Sequence, residues 1–182
     1  MPIITNKLNQ MELMTPQERI KSFFEIHESG HDVVKDFLKV LVKLPRKIAL
    51  EYLSFCTERN NQISVESLHY LICDPRFRFR EKVLDCLVTL QLESTPNILL
   101  NLFQNSGIQF RKKILSALTN WNITKADDNL LKVLGQSEPE LLALALQVIS
   151  NCTDVINTEP IEVLLQHPVP LVRKKATNTM LN

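Results

Sequence analysis

Hydrophobic positions recur along this chain at a constant spacing of 31 residues. Each stretch of 31 holds two segments with apolar residues at i, i+3 and i+4, the stripe of an amphipathic α-helix. In the first segment, called helix A, the leading stripe positions are Phe37, Leu68, Leu99, Leu130 and Ile161. In the second, called helix B, the central stripe positions are Tyr52, Val83, Ile114, Ala145 and Ala176. Apolar residues also stand four positions before and after these, namely Ile48, Phe79, Phe110, Leu141 and Val172, and Cys56, Leu87, Leu118, Ile149 and Met180.

Turn-forming residues separate helix A from helix B in every stretch. They are Pro45, Asp74-Pro75, Ser106-Gly107, Ser137 with Pro139, and Pro168 with Pro170. Proline suits these places because the first turn of a helix needs no amide donor. A single hairpin could not bury its own stripes, so successive hairpins must stack. The pattern therefore predicts an all-α fold, an α-solenoid of about five antiparallel helix pairs.

The repeats are preceded by a segment that does not share the 31-residue pattern. We assign residues 1–32 to an N-terminal capping segment and 33–182 to the repeat array, with repeats at 33–63, 64–94, 95–125, 126–156 and 157–182. In the capping segment, Thr15, Pro16 and Glu18 stand in the order of a capping box, which predicts a helix over 16–28.

The aligned pattern resembles HEAT repeats, especially the short bacterial class typified by phycobilisome-lyase HEAT-like repeats. The residues that carry the resemblance are Asp74-Pro75 with Arg80 and Val83, Asn105 with Arg111 and Ile114, and His167-Pro168 with Arg173 and Ala176. The resemblance covers roughly residues 33–182. It implies a right-handed superhelix used mainly as a protein-binding scaffold, and the subclass suggests a bilin-lyase-like chaperone as an alternative. The fourth repeat departs from the pattern, with Gln136 and Leu142 in place of the Asp and the Arg.

Composition narrows the function classes. The chain has 21 basic and 20 acidic residues, so no global charge attracts it to nucleic acid or to an anionic membrane. Its four cysteines lack CxxC spacing, which favours reduced, buried thiols. No apolar run reaches the length of a membrane span, and the N-terminus lacks the pattern of a signal peptide. We expect a cytoplasmic, non-enzymatic protein without a cofactor, whose partner is another protein.

Basic residues recur at two places near the start of helix B. Arg80, Arg111 and Arg173 share one position inside the apolar stripe, where we expect each to be half-buried and paired with a turn carbonyl or an Asp. The neighbouring lysines point away from the stripe, and with Lys43, Arg46 and Lys47 they could form a basic ridge for phosphates. These lysines are Lys82, Lys112, Lys113, Lys174 and Lys175. A solvated basic face is the alternative.

The fourth repeat interrupts this ridge. Glu138 and Glu140 are acidic, and Leu144 stands where other repeats carry Lys. The run 141–146 is apolar on every side, which is typical of a helix buried all round. One hypothesis is that Leu142 and Leu144, with Glu140 beside them, belong to an exposed contact for a partner. The other is that a neighbouring segment covers them.

The sequence His27-Glu28-Ser29-Gly30-His31 matches the zinc-protease motif HExxH. That chemistry requires both histidines one turn apart on one helix, with the glutamate activating a metal-bound water. Gly30 is typical of a helix stop, and no third ligand is obvious, although Glu51 stays open. We therefore expect no metal site; a zinc hydrolase that uses His27, Glu28 and His31 is the alternative.

Overall fold

The computed structural model describes residues 10–121, 123, 128–135, 138–153 and 157–181. Within these ranges the regular secondary structure is entirely α-helical, which confirms the predicted all-α class. No helix of this part of the chain combines the length and apolar character needed to cross a bilayer. The chain divides into two compact units, Met1–Leu92 and Glu93–Asn182. The division lies two residues before the predicted boundary between the second and third repeats.

The first unit contains five helices in its described residues. They are α1 Pro16–Glu28, α2 His31–Leu41, α3 Arg46–Arg59, α4 Gln62–Cys73 and α5 Arg80–Leu90. α1 packs on α2 and α3, α2 packs on α4, and α5 packs on α3 and α4. The three helices α1, α3 and α5 thus follow one another in one layer, and α2 and α4 form the other.

The helix predicted over 16–28 is confirmed with its cap. Thr15 Oγ1 accepts the Glu18 amide at 3.3 Å, and the Glu18 carboxylate accepts the Thr15 amide at 2.7 Å. This helix packs on both helices of the first hairpin, as a capping segment would, but its place in the layer of the B helices was not predicted. The buried residues of α1 lie 29 residues before the corresponding buried residues of α3, whereas the repeats are spaced by 31. In α1 these residues are Arg19, Phe23, Ile26 and His27. The counterparts in α3 are Ile48, Tyr52, Phe55 and Cys56.

The second unit contains six helices in its described residues. They are α6 Thr95–Gln104, α7 Ile108–Leu118, α8 Asp128–Val133, α9 Pro139–Ser150, α10 Glu159–Leu164 and α11 Pro170–Leu181. α9 packs against α7, α8 and α11, while α6 packs on α7 and α8 and α10 packs on α11. Polar bonds reinforce these contacts: Thr179 Oγ1 donates to the Leu146 carbonyl at 3.1 Å, and Asn151 Nδ2 donates to the Thr119 carbonyl at 2.9 Å.

The predicted core positions are confirmed where helices pack on both sides. All five leading positions of helix A are fully buried, as are the five central positions of helix B. Three positions at helix ends differ. Phe79 and Phe110 are only half-buried because they lie at or near the first turn of their helices. Met180, in the last turn of α11, is 37% exposed.

Candidate protein-binding surface

The recurring arginines have a structural role, as expected. Arg80 Nε donates to the Ile72 carbonyl at 2.7 Å, and Arg111 Nε donates to the Phe103 carbonyl at 3.0 Å. Both acceptors are carbonyls at the end of the preceding helix A, where backbone oxygens lack helical donors. Arg173 likewise donates to the carbonyls of its turn, at 2.8 and 2.9 Å. All three side chains are half-buried, so each fastens a turn.

Replacing Arg111 with Met is expected to lower the free energy of unfolding by about 2 kcal/mol, because charge-assisted hydrogen bonds are lost and carbonyls are left unpaired. The lost bonds include those to Phe103 and to the Gln104 carbonyl, 2.9 Å from Nη2. Urea unfolding followed by circular dichroism gives the measurement. The exposed Gln109→Met on the same helix is the control, and equal stability of the two variants would contradict this role.

The predicted basic ridge is partly neutralised by neighbouring side chains. Lys112 bonds Glu140 and lies 3.2 Å from Glu138, and both carboxylates raise the pKa of the lysine. Lys82 forms an ion pair with Asp85 at 3.1 Å. Lys175 donates to Gln147 at 3.1 Å, whereas Lys113 and Lys174 are exposed. Glu140 thus serves the contact between α7 and α9, and the lysines offer less free positive charge than the sequence suggested.

The structure corrects the hypothesis that the apolar run of the fourth repeat forms an exposed contact. Leu142 is 1% exposed, and Leu144 is half-buried. The helix that carries them, α9, is packed on three sides by α7, α8 and α11. Leu142 is therefore covered by neighbouring helices and is not part of an exposed contact, whereas the side chain of Leu144 stays partly exposed.

The HExxH match does not form a metal centre. His27 lies in the last turn of α1, while His31 begins α2, and Gly30 between them has φ of 95°. The helix is broken, so the two histidines do not share one helical face. His27 Nε2 lies 2.8 Å from Tyr52 Oη, and His31 Nε2 lies 3.1 Å from a Glu66 carboxylate oxygen.

The remaining candidate ligands are also engaged elsewhere. Glu51 accepts hydrogen bonds from Arg19, and Glu28 is exposed. In the ranges that the structure describes, no three His, Cys, Asp or Glu side chains are arranged to hold a metal ion.

The four cysteines are free thiols, and only one fits the expectation of burial. Cys56 is buried, and burial raises the pKa of its thiol to about 12, which makes it a poor nucleophile. Cys73, the last residue of α4, is exposed, and Cys86 and Cys152 are half-buried.

A groove that the sequence analysis missed lies between α1 and α3. We call it the aromatic groove; it has a volume of about 360 Å³. It is lined by Ile20, Phe24, Glu51, Ser54, Phe55, Glu58 and Arg59. Ile20 and Phe24 are 43% and 42% exposed. Phe24 also meets Phe55 edge to face, with ring centroids 5.0 Å apart.

Arg59 closes one side of the aromatic groove, with its guanidinium carbon over both rings. Its Cζ lies 4.6 Å from the Phe24 centroid and 5.9 Å from the Phe55 centroid. Its Nη1 is buried and has no hydrogen-bond partner among the described residues. The groove thus combines the apolar side chains of Ile20, Phe24 and Phe55 with a guanidinium that forms no ion pair among the described residues.

A second, more polar groove of about 320 Å³ follows between α3 and α5. It includes Lys82 and Asp85 and shares Ser54 and Glu58 with the aromatic groove. The two grooves therefore lie side by side on the layer of α1, α3 and α5 and meet on α3. Of the residues that the sequence singled out, Lys82 lies in the second groove, and Glu51, the open candidate for a metal ligand, lines the aromatic groove.

The sequence held one signal for the aromatic groove. Ile20 and Phe24 are spaced i, i+4 on α1, in addition to the buried Phe23 and Ile26. A second apolar pair outside the core face indicates an exposed contact or a further packing partner.

No model of a known protein family matches this chain, and a search of curated proteins finds no similar sequence. The likeness to HEAT repeats therefore rests on the turn and arginine pattern of residues 74–83, 105–114 and 167–176.

Proposed function

We propose that this protein is a non-enzymatic, HEAT-like scaffold that binds another protein through the aromatic groove. The repeat assignment is supported by the 31-residue spacing of buried positions and by the packing of helices within each unit. In the first unit, B helices contact the next B helix and A helices contact the next A helix. This neighbour-to-neighbour contact is the packing that stacked hairpin repeats require.

The observation that carries the binding role is the exposure of Ile20 and Phe24 beside Arg59. Aromatic residues and arginine are enriched where interfaces derive most of their binding energy. Here they line one groove, which is more apolar than the neighbouring groove between α3 and α5.

The nucleic-acid alternative receives less support. Phosphate binding requires lysines that are free to neutralise the backbone. Lys82 and Lys112 are paired with carboxylates, and most aromatic rings of the first unit pack in its core. Nothing in the described residues favours a tetrapyrrole, and the broken helix between His27 and His31 opposes a zinc hydrolase.

Substitution of the groove residues tests the proposal. Phe24→Ser is expected to weaken capture of a partner from native lysate at least tenfold, because truncating an aromatic anchor costs about 2 kcal/mol or more. Ile20→Ser should also weaken it, whereas Ile108→Ser should not. Ile108 is the matched control, since it is 46% exposed but lies on α7 in the second unit.

Quantitative mass spectrometry of the captured proteins provides the readout, at low and high salt. A partner retained at high salt and lost from both groove variants supports the proposal. Equal capture by the wild type, Ile20→Ser and Phe24→Ser overturns it, and release of nucleic acid by salt would favour the lysines.

A further inference from the structure

The charge balance of the aromatic groove indicates what kind of segment it accepts. Two carboxylates line the groove with Arg59, yet neither is paired with it. Glu51 is held by Arg19, with N–O distances of 2.5 and 2.9 Å. Glu58 is exposed to solvent and forms no ion pair with Arg59. Among the described residues, the guanidinium therefore contacts the faces of Phe24 and Phe55 but no carboxylate.

Within the part of the chain that the structure describes, the Arg59 guanidinium therefore lacks a partner that fully offsets the cost of its partial burial. A half-buried cation keeps part of its desolvation cost unless a counter-charge or an acceptor reaches it. The Phe faces offset a fraction of this cost. A carboxylate would offset more, because its geometry matches the planar fork of a guanidinium.

The size of the groove limits the occupant to a short segment. About 360 Å³ is near the lower end of ligand-binding pockets. Ile20, Phe24 and Phe55 provide walls for one or two apolar side chains. We propose that the aromatic groove binds a short peptide segment of a partner protein, in which a large apolar side chain enters the groove and an adjacent carboxylate pairs with Arg59. This inference rests on the proposed function and adds the chemistry of the partner.

Peptide selection tests the inference without knowledge of the partner. The full chain is used to select from phage-displayed random twelve-residue peptides, after depletion on the Phe24→Ser chain. The enriched peptides are expected to share an apolar residue with Asp or Glu close to it. Enrichment without acidic residues, or no enrichment over the depleted pool, overturns the inference.

One enriched peptide is then synthesised with a fluorophore, together with a copy whose carboxylate is replaced by the matching amide. On the wild-type chain, we expect the amide copy to bind at least tenfold more weakly in fluorescence polarisation. On Arg59→Met, the two peptides should bind within twofold of each other. Arg46→Met, an exposed arginine at the start of the same helix, should preserve the tenfold difference.

Arg59→Lys is a second variant that keeps the inference testable if Arg59→Met does not fold. It keeps the charge but loses the planar fork, so it should reduce the difference between the two peptides without abolishing it. Equal binding of both peptides to the wild-type chain overturns the inference. If capture of a partner from lysate still depends on Ile20 and Phe24 in that case, the proposed function is supported and only the preference for a carboxylate is contradicted.

Discussion

Glu51→Ala is expected to lower the free energy of unfolding of the first unit by about 3 kcal/mol, because it leaves a buried arginine without its counter-charge. Arg19 on α1 is 2% exposed, and its Nε and Nη2 atoms both donate hydrogen bonds to the Glu51 carboxylate on α3. Its remaining acceptors are the carbonyls of Met11 and Met14. This pairing lowers the pKa of Glu51 and raises that of Arg19.

Urea unfolding and hydrogen exchange of the α1 amides give the measurement. Glu58→Ala is the control because Glu58 is exposed, two turns further along the same helix. It should change stability by less than about 0.5 kcal/mol. Equal stability of the two variants would contradict the role of the buried pair.

The same ion pair matters for the proposed binding role. The aromatic groove has one wall on α1 and the other on α3, and the Arg19–Glu51 pair joins these two helices. Loosening α1 would separate Ile20 and Phe24 from Phe55 and Arg59. Glu51→Ala should therefore weaken partner capture as well as stability, whereas Glu58→Ala should preserve the fold.

The helical core could be predicted from sequence because its signal is local and repeated. Positions such as Val83, Ile114 and Ala145 recur at one spacing, and each is buried by neighbours of the same kind. The arginine at each turn was equally predictable, since a charge inside an apolar stripe requires an acceptor nearby. For both Arg80 and Arg111, this acceptor is a backbone carbonyl eight residues earlier in the chain.

The groove could not be predicted in this way because it depends on how α1 packs. The register of α1 is 29 residues from that of α3, so the 31-residue alignment placed it outside the array. Phe24 and Arg59 are 35 positions apart, and only the contact of the two helices brings them together. The exposure expected for Leu142, beside Leu144, was wrong for a related reason: the burial of Leu142 depends on the packing of α9 against α7, α8 and α11.

The stability of the first unit is expected to fall as the pH drops from about 6.5 towards 4, by up to about 3 kcal/mol from one histidine. His27 is 2% exposed, and burial together with the nearby charge of Arg59 lowers its pKa from 6.5 to about 4. In this interval the unfolded chain binds a proton that folded His27 does not. The stabilisation is therefore complete above the unfolded pKa and is lost as the pH falls through the folded pKa.

The free energy of unfolding in urea, measured from pH 7 to pH 4, gives this dependence directly. Burial also lowers the pKa of His69 in α4, so the series is best recorded in a His69→Gln background. His27→Gln removes the titration and should flatten the curve between pH 6.5 and 5. The paired carboxylates of Glu51 and Asp74 have lowered pKa values and titrate below that window. If the free energy of unfolding depends on pH with the same slope in His27→Gln, protonation of His27 does not destabilise the unit. His27 would then accept its proton while α1, one wall of the aromatic groove, stays folded.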